Sequence, residues 1–180
     1  MAKSDDRIIL IDADVISHFL TAREGVSINK IFPNKIFVLD KVHAELQRWP
    51  SAGFRQELSI LFQQKILRLM DFPESDEVIK KEYLWIKSKM FKGDGESACL
   101  AVARHNKHIL ASSNLRDISS YCVTHKIDYL TTMDFLCEAM KKKVFTMEKC
   151  NEFISAVLKA KSKLPVTQMS NYICRELIFL

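Results

Sequence analysis

Five short, mostly apolar runs alternate with stretches of helical period, and this alternation restricts the fold more than any other feature. The runs are 8–11, 35–39, 66–70, 108–111 and 127–130. Each is too short for a helix and is bounded by turn-forming or capping residues, so each reads as a buried strand. Helical patterns occupy 15–20, 40–49, 54–64, 74–90, 96–106, 114–125, 131–142, 148–160 and 168–177. Strands alternating with helices predict an α/β chain: a three-layer α/β/α sandwich around a central parallel sheet. With only 4 Gly and 4 Pro in 180 residues, little is left over for linkers. The reading is a domain over 1–145 and a helical C-terminal extension over 146–180, packed on that same domain.

Several classes are set aside on composition. The five cysteines, Cys99, Cys122, Cys137, Cys150 and Cys174, form no C-x-x-C pair. They read as buried thiols rather than a disulfide framework or a zinc site, which places the chain in the reducing cytoplasm. The charged start, with Lys3, Asp5, Asp6 and Arg7, does not read as a signal peptide, and no apolar run is long enough for a membrane span. His18, His43, His105, His108 and His125 show no metal-ligand spacing. They are expected to cap helices or lie on the surface. A net charge of +5 permits an acidic partner without requiring one.

The candidate chemistry lies in the carboxylates. In an open α/β sheet, ligands bind beyond the carboxyl ends of the strands. Asp12 and Asp14 follow the first strand, Glu45 lies on the helix after the second, and Ser112, Asn114 and Asp117 follow the fourth. Glu96 opens the helix that leads into that fourth strand. Any one such Asp is commonly a helix cap. Several mapping to one rim call for another reason, because like charges raise one another's pKa and cost stability. A hard divalent cation relieves that cost and supplies a water that can attack a phosphodiester.

In this order the motifs resemble those of PIN domains. Leu10-Ile11-Asp12-Ala13-Asp14-Val15-Ile16 is similar to the opening motif, and Glu45-Leu46 to the second. Gly95-Glu96-Ser97-Ala98 is similar to the third, in the Gly-Glu form of one branch, and Ile109 to Ile118 (ILASSNLRDI) to the last. The resemblance covers about residues 7 to 160. Ser112 stands where Thr is usual and Asn114 where many relatives carry Asp. What the resemblance implies is an endoribonuclease dependent on Mg²⁺ or Mn²⁺, acting on single-stranded RNA and often the toxin of a toxin–antitoxin pair. A partner would then be an antitoxin or a second copy of the chain. Asp12, Glu45, Glu96 and Asp117 would be catalytic, with Asp12, Glu96 and Asp117 as metal ligands. Asp14, Ser112 and Asn114 would support them from the second layer.

Two other readings fit parts of the pattern. A PIN-like fold weakened in catalysis could serve as an RNA- or protein-binding scaffold, and the neutral Asn114 favours it. Asp12-Ala13-Asp14-Val15-Ile16 also resembles the first motif of haloacid-dehalogenase-like phosphatases, with Asp12 as nucleophile and Asp14 as acid/base. Gly93-Asp94 imitates their late motif but stands in the wrong chain order. Finally, residues 139–163 hold seven lysines and two acids. Lys141, Lys142 and Lys143 are expected to line a phosphate track for RNA.

Overall fold

A computed structural model describes residues 7–33, 35–90 and 93–179, with the side chain of Asp117 outside that description. The turn read at Pro33–Asn34 and the charged residues before Arg7 fall partly or wholly outside it.

The strands are β1 (Ile9–Ile11), β2 (Ile36–Leu39), β3 (Arg68–Met70), β4 (Ile109–Ala111) and β5 (Tyr129–Leu130). All are parallel, in the order β3-β2-β1-β4-β5. The register sets Ile9 against Ile36 on one side and Ile109 on the other, and Ile11 against Ala111. Every residue of β1 and β4 is buried. These strands therefore read as unbroken apolar runs, as expected where both sheet faces are covered.

The helices that cover the sheet are α1 (Ala13–Thr21), α2 (Ile28–Ile31), α3 (Asp40–Gln47), α4 (Ala52–Gln63), α5 (Glu77–Lys89), α6 (Asp94–Asn106), α7 (Leu115–His125), α8 (Thr132–Lys141) and α9 (Met147–Lys159). Their starts carry side-chain caps. The Asp76 side chain accepts from the Val78 and Ile79 amides, and Ser51 accepts from Phe54. Thr131 and Asp134 form a capping box on α8. Their ends are less ordinary. No described glycine has a positive φ, and Arg23, Lys65, Lys107, Lys126, Lys143 and Lys161 adopt the left-handed conformation instead. In a glycine-poor chain, basic side chains at helix C-termini gain from the dipole part of what the backbone strain costs.

Three expectations are corrected. Residues 168–177 do not form a helix. Only Met169–Asn171 makes a 3-10 turn, and the rest of the tail is an irregular strap. The pattern of Met169, Tyr172 and Leu177 reads as helical, but these side chains pack individually against the domain core. Second, Cys137 and Cys174 form a disulfide across 37 residues, while Cys99, Cys122 and Cys150 are free and buried. The strap folds back over α8, a pairing that local cysteine spacing cannot report. Third, His18 is neither a cap nor a surface residue but a buried side chain, 3% exposed.

The strap is held beside the disulfide by Arg175. Its Nε and Nη2 donate to Asp134 Oδ1 and Oδ2 at 2.8 and 2.7 Å, and Asp134 is 1% exposed. A two-pronged pair to a buried carboxylate fixes orientation as well as contact. Side chains of α9 (Cys150, Phe153, Ile154 and Val157) belong to the same core as the sheet. Among the described residues no helix is long and apolar enough to cross a membrane.

Candidate active site

The sheet order reverses between β1 and β4. From β1 the chain builds outward to β2 and β3 on one side, then returns to build β4 and β5 on the other. The helices that follow β1 and β4 diverge there and leave a crevice beyond the strand ends. Asp12 stands at the end of β1, and Ser112–Asn114 at the end of β4. The Asp12 amide donates to the Ala111 carbonyl at 2.8 Å, so the two edges of the crevice are joined directly.

Asp12 is 6% exposed, and its Oδ1 accepts the Ala13 amide at 2.8 Å. It is thus the cap of α1, as a lone Asp after a strand should be. One backbone donor does not offset its surroundings. Burial holds the Asp12 carboxyl well above the usual carboxylate range, and the charges of Asp14, Glu96 and Glu45 push it further. The buried Cys99 thiol is also raised, first by burial and then by those same four acids. Residues from α1, α3 and α6 therefore share one electrostatic neighbourhood.

Glu45 is fixed there by a backbone contact. Its Oε1 accepts the Gly95 amide at 2.9 Å, in the first turn of α6. A Cβ on Gly95 would lie 2.9 Å from Val42 Cγ2 and 3.0 Å from Glu45 Oε2. The glycine is what lets α3 and its carboxylate come this close to α6.

Asp14 has a different task. Its Oδ1 accepts from the Val15 amide, and its Oδ2 from the Ser113 amide at 2.7 Å and the Ser112 hydroxyl at 3.4 Å. Burial raises its pKa, and these donors partly counter that. Asp14 thereby ties the loop after β4 to α1. The loop in turn presents Asn114, whose Nδ2 lies 3.5 Å from Glu96 Oε2. The buried Ser112 hydroxyl also accepts from the Asn114 amide at 3.3 Å. Asp14, Ser112 and Asn114 thus support the Asp12–Glu45–Glu96 group through hydrogen bonds. Asp117 lies on α7, and its side chain is outside the described residues.

The donor set, carboxylates with one amide and no nitrogen or sulfur ligand, suits a hard divalent cation. Among the described residues, however, no group of three or more His, Cys, Asp or Glu is arranged to hold a metal ion.

Lys141, Lys142 and Lys143 are not beside this group. They stand at the far end of α8, about 15 Å along the helix from the strand rim. Lys141 pairs with Glu138 at 3.3 Å, and Lys142 donates to the Ile31 carbonyl at 2.5 Å. Lys163, from the same lysine-rich stretch, does reach the rim.

One part of the site left no mark in a reading of single residues. His18 Nδ1 lies 2.8 Å from Thr132 Oγ1, and its Nε2 lies 3.0 Å from Ser162 Oγ in the strap. Thr132 Oγ1 is 2.7 Å from Ser113 Oγ, and the Ser113 amide is the one that donates to Asp14. A buried polar chain thus runs from the strap to the loop after β4. The only signal for it was that His18 sits among Val15, Ile16, Phe19 and Leu20 on an otherwise apolar helix. Compared with protein-family models, with curated proteins and with solved structures, the chain matches none.

Proposed function

We propose that the chain is a PIN-like endoribonuclease that cuts single-stranded RNA with Mg²⁺ or Mn²⁺. The observation that carries the reading is the burial of Asp12 at the sheet's reversal point, with Asp14, Glu45 and Glu96 around it. Such a cluster is costly to keep, and a fold under no other demand would place apolar or paired groups there. Asp12 and Glu96, with Asp117 assigned from the sequence pattern, would hold the cation. When bound, it would polarise the phosphodiester and lower the pKa of the attacking water. Glu45, locked by Gly95, keeps a carboxylate poised at the crevice. Asp14 and Asn114 hold the loop after β4 and orient Glu96. Without a cation, the Asp12 carboxyl retains a proton to higher pH than an exposed acid does.

The test is cleavage of a labelled single-stranded RNA by purified protein with Mn²⁺, with EDTA, and with Asp12→Asn and Glu96→Gln. Cleavage should require Mn²⁺ and be lost in both variants. Cleavage that persists in EDTA, or in both variants, would remove the reading. One observation favours a second reading, the weakened scaffold: the side chain that meets Glu96 from the loop after β4 is the neutral Asn114 and not an acid. In that case RNA binds and stays intact. Asp94, which the phosphatase alternative needs beside Asp12, is held by Tyr83 and Lys87.

A further inference from the structure

Next to the acid group, and sharing Asn114 with it, lies a cleft of about 820 Å³. One wall is the loop after β4 and the start of α7, the floor is the end of β5 and the start of α8, and the other wall is the C-terminal strap. Its size falls within the roughly 300–1,000 Å³ of small-ligand sites. Its chemistry is opposite to that of its neighbour. Among the described residues no carboxylate lines it, whereas Arg116 and Lys163 do, from opposite walls. Neither cation is paired with a carboxylate among the described residues. Between them stand the half-buried Tyr172 ring and the buried Met133.

We propose that this cleft is the subsite for the nucleotide next to the scissile phosphate. Arg116 and Lys163 take its phosphate, and Tyr172 and Met133 take its base. This rests on the nuclease reading, and it resolves a difficulty within it. A polyanion is repelled by gathered carboxylates and needs fixed cations within one nucleotide of them. Lys141, Lys142 and Lys143 are too far away, and the first two are engaged locally, whereas the cleft offers two cations with no carboxylate partner among the described residues and an aromatic face beside Asn114. Aromatic faces hold single-stranded bases without selecting sequence.

The experiment is fluorescence anisotropy of a labelled single-stranded RNA hexamer in EDTA, where nothing is cleaved, across a salt series. Arg116→Gln with Lys163→Gln should weaken binding at least tenfold. It should also flatten the slope of log affinity against log salt by about 0.7, the value for one neutralised phosphate on a single strand. Tyr172→Ala should lose about tenfold, and Tyr172→Phe should keep the affinity. The two cationic side chains are exposed, so their double variant serves as the test even if Tyr172→Ala does not fold. Wild-type affinity and salt slope in the double variant would overturn the subsite. Two combined outcomes separate the proposals. Cleavage by wild type with unaltered binding in the variants removes the subsite and leaves the nuclease. Cleft-dependent binding with no Mn²⁺-dependent cleavage removes the nuclease and leaves an RNA-binding cleft.

Discussion

The Gly95 amide and the Glu45 carboxylate meet at 2.9 Å across 50 residues of sequence, and the missing side chain at Gly95 is the condition for that contact. Glycine at this point of a helix sacrifices backbone entropy. Alanine in its place should improve helix propensity by about 1 kcal/mol. It would also drive a Cβ against Val42 and Glu45, an overpacking cost of about 1–3 kcal/mol.

Gly95→Ala should therefore lose up to about 2 kcal/mol net in urea denaturation and lose metal-dependent activity, because Glu45 must move. Gly53→Ala is the control. Its Cβ would meet nothing nearer than Ser51 Oγ at 3.9 Å, so it should gain about 0.5–1 kcal/mol. A stabilised Gly95→Ala would show that Glu45 has room to spare.

Asp12→Asn, which removes a charge and keeps an acceptor, and Asp14→Ala, which removes the acceptor, should act in opposite ways. The folded-state pKa of Asp12 is raised, so its contribution to stability is full below its unfolded value near 4 and is lost as pH rises through the folded value. Asp12→Asn should then stabilise the metal-free protein at pH 7 by about 1 kcal/mol. It should also gain less than wild type from Mn²⁺. Asp14→Ala should destabilise, since the Ser113 and Val15 amides lose their acceptor. Thermal melts with and without Mn²⁺ decide it, and a lower melting temperature for Asp12→Asn would make Asp12 a plain structural cap.

His18 supplies a pH dependence of the other sign. Burial lowers its pKa from 6.5 to about 4. The unfolded chain thus binds the proton first, and stability falls as pH drops from about 6.5 to about 4. The full loss is on the order of 3 kcal/mol. Because Asp12 and Asp14 gain stability over part of the same range, the comparison should be between slopes. His18→Asn should flatten the acid limb of the stability curve relative to wild type, whatever its absolute stability. Parallel curves would mean that His18 is protonated in the folded protein.

The disulfide should be detectable by counting thiols. In denaturant without reductant, Cys99, Cys122 and Cys150 should react with a maleimide, and all five cysteines only after dithiothreitol. Cys174→Ser should cost about 2 kcal/mol, below the loop-entropy limit for a 37-residue separation, because Arg175 still anchors the strap to Asp134. Five reactive thiols before reduction would rule the bond out.

The strands and most helices were legible because each announces itself locally: β1 as an unbroken apolar run, α5 and α8 through their helical period. The strap was not, because Met169, Tyr172 and Leu177 mimic a helical period while packing one by one. The place of Asp12 and Asp14 at the rim was legible because they follow a strand end, whereas Glu45 and Glu96 reach it from helices. The separate tasks of Asp12 and Asp14 were less visible, since two residues of the same kind two positions apart differ only in which backbone amides they meet. Nothing local distinguishes Lys163, at the rim, from Lys141, at the far end of α8. The Cys137–Cys174 bond and the His18 network join distant segments and become visible only once the chain has folded.

The reversal of strand order also sets a sequence of events during synthesis. The first seventy residues contain β1, β2 and β3, which can pair in register while β1 keeps one whole edge open. That edge is entirely apolar and stays unpartnered until Ile109–Ala111 has been made. A growing chain therefore carries its stickiest edge exposed for a long stretch of translation, as an invitation to mispairing. The docking of β4 that closes the edge also brings Asn114 to Glu96, so a chain stalled before that point is aggregation-prone and lacks the assembled acid site.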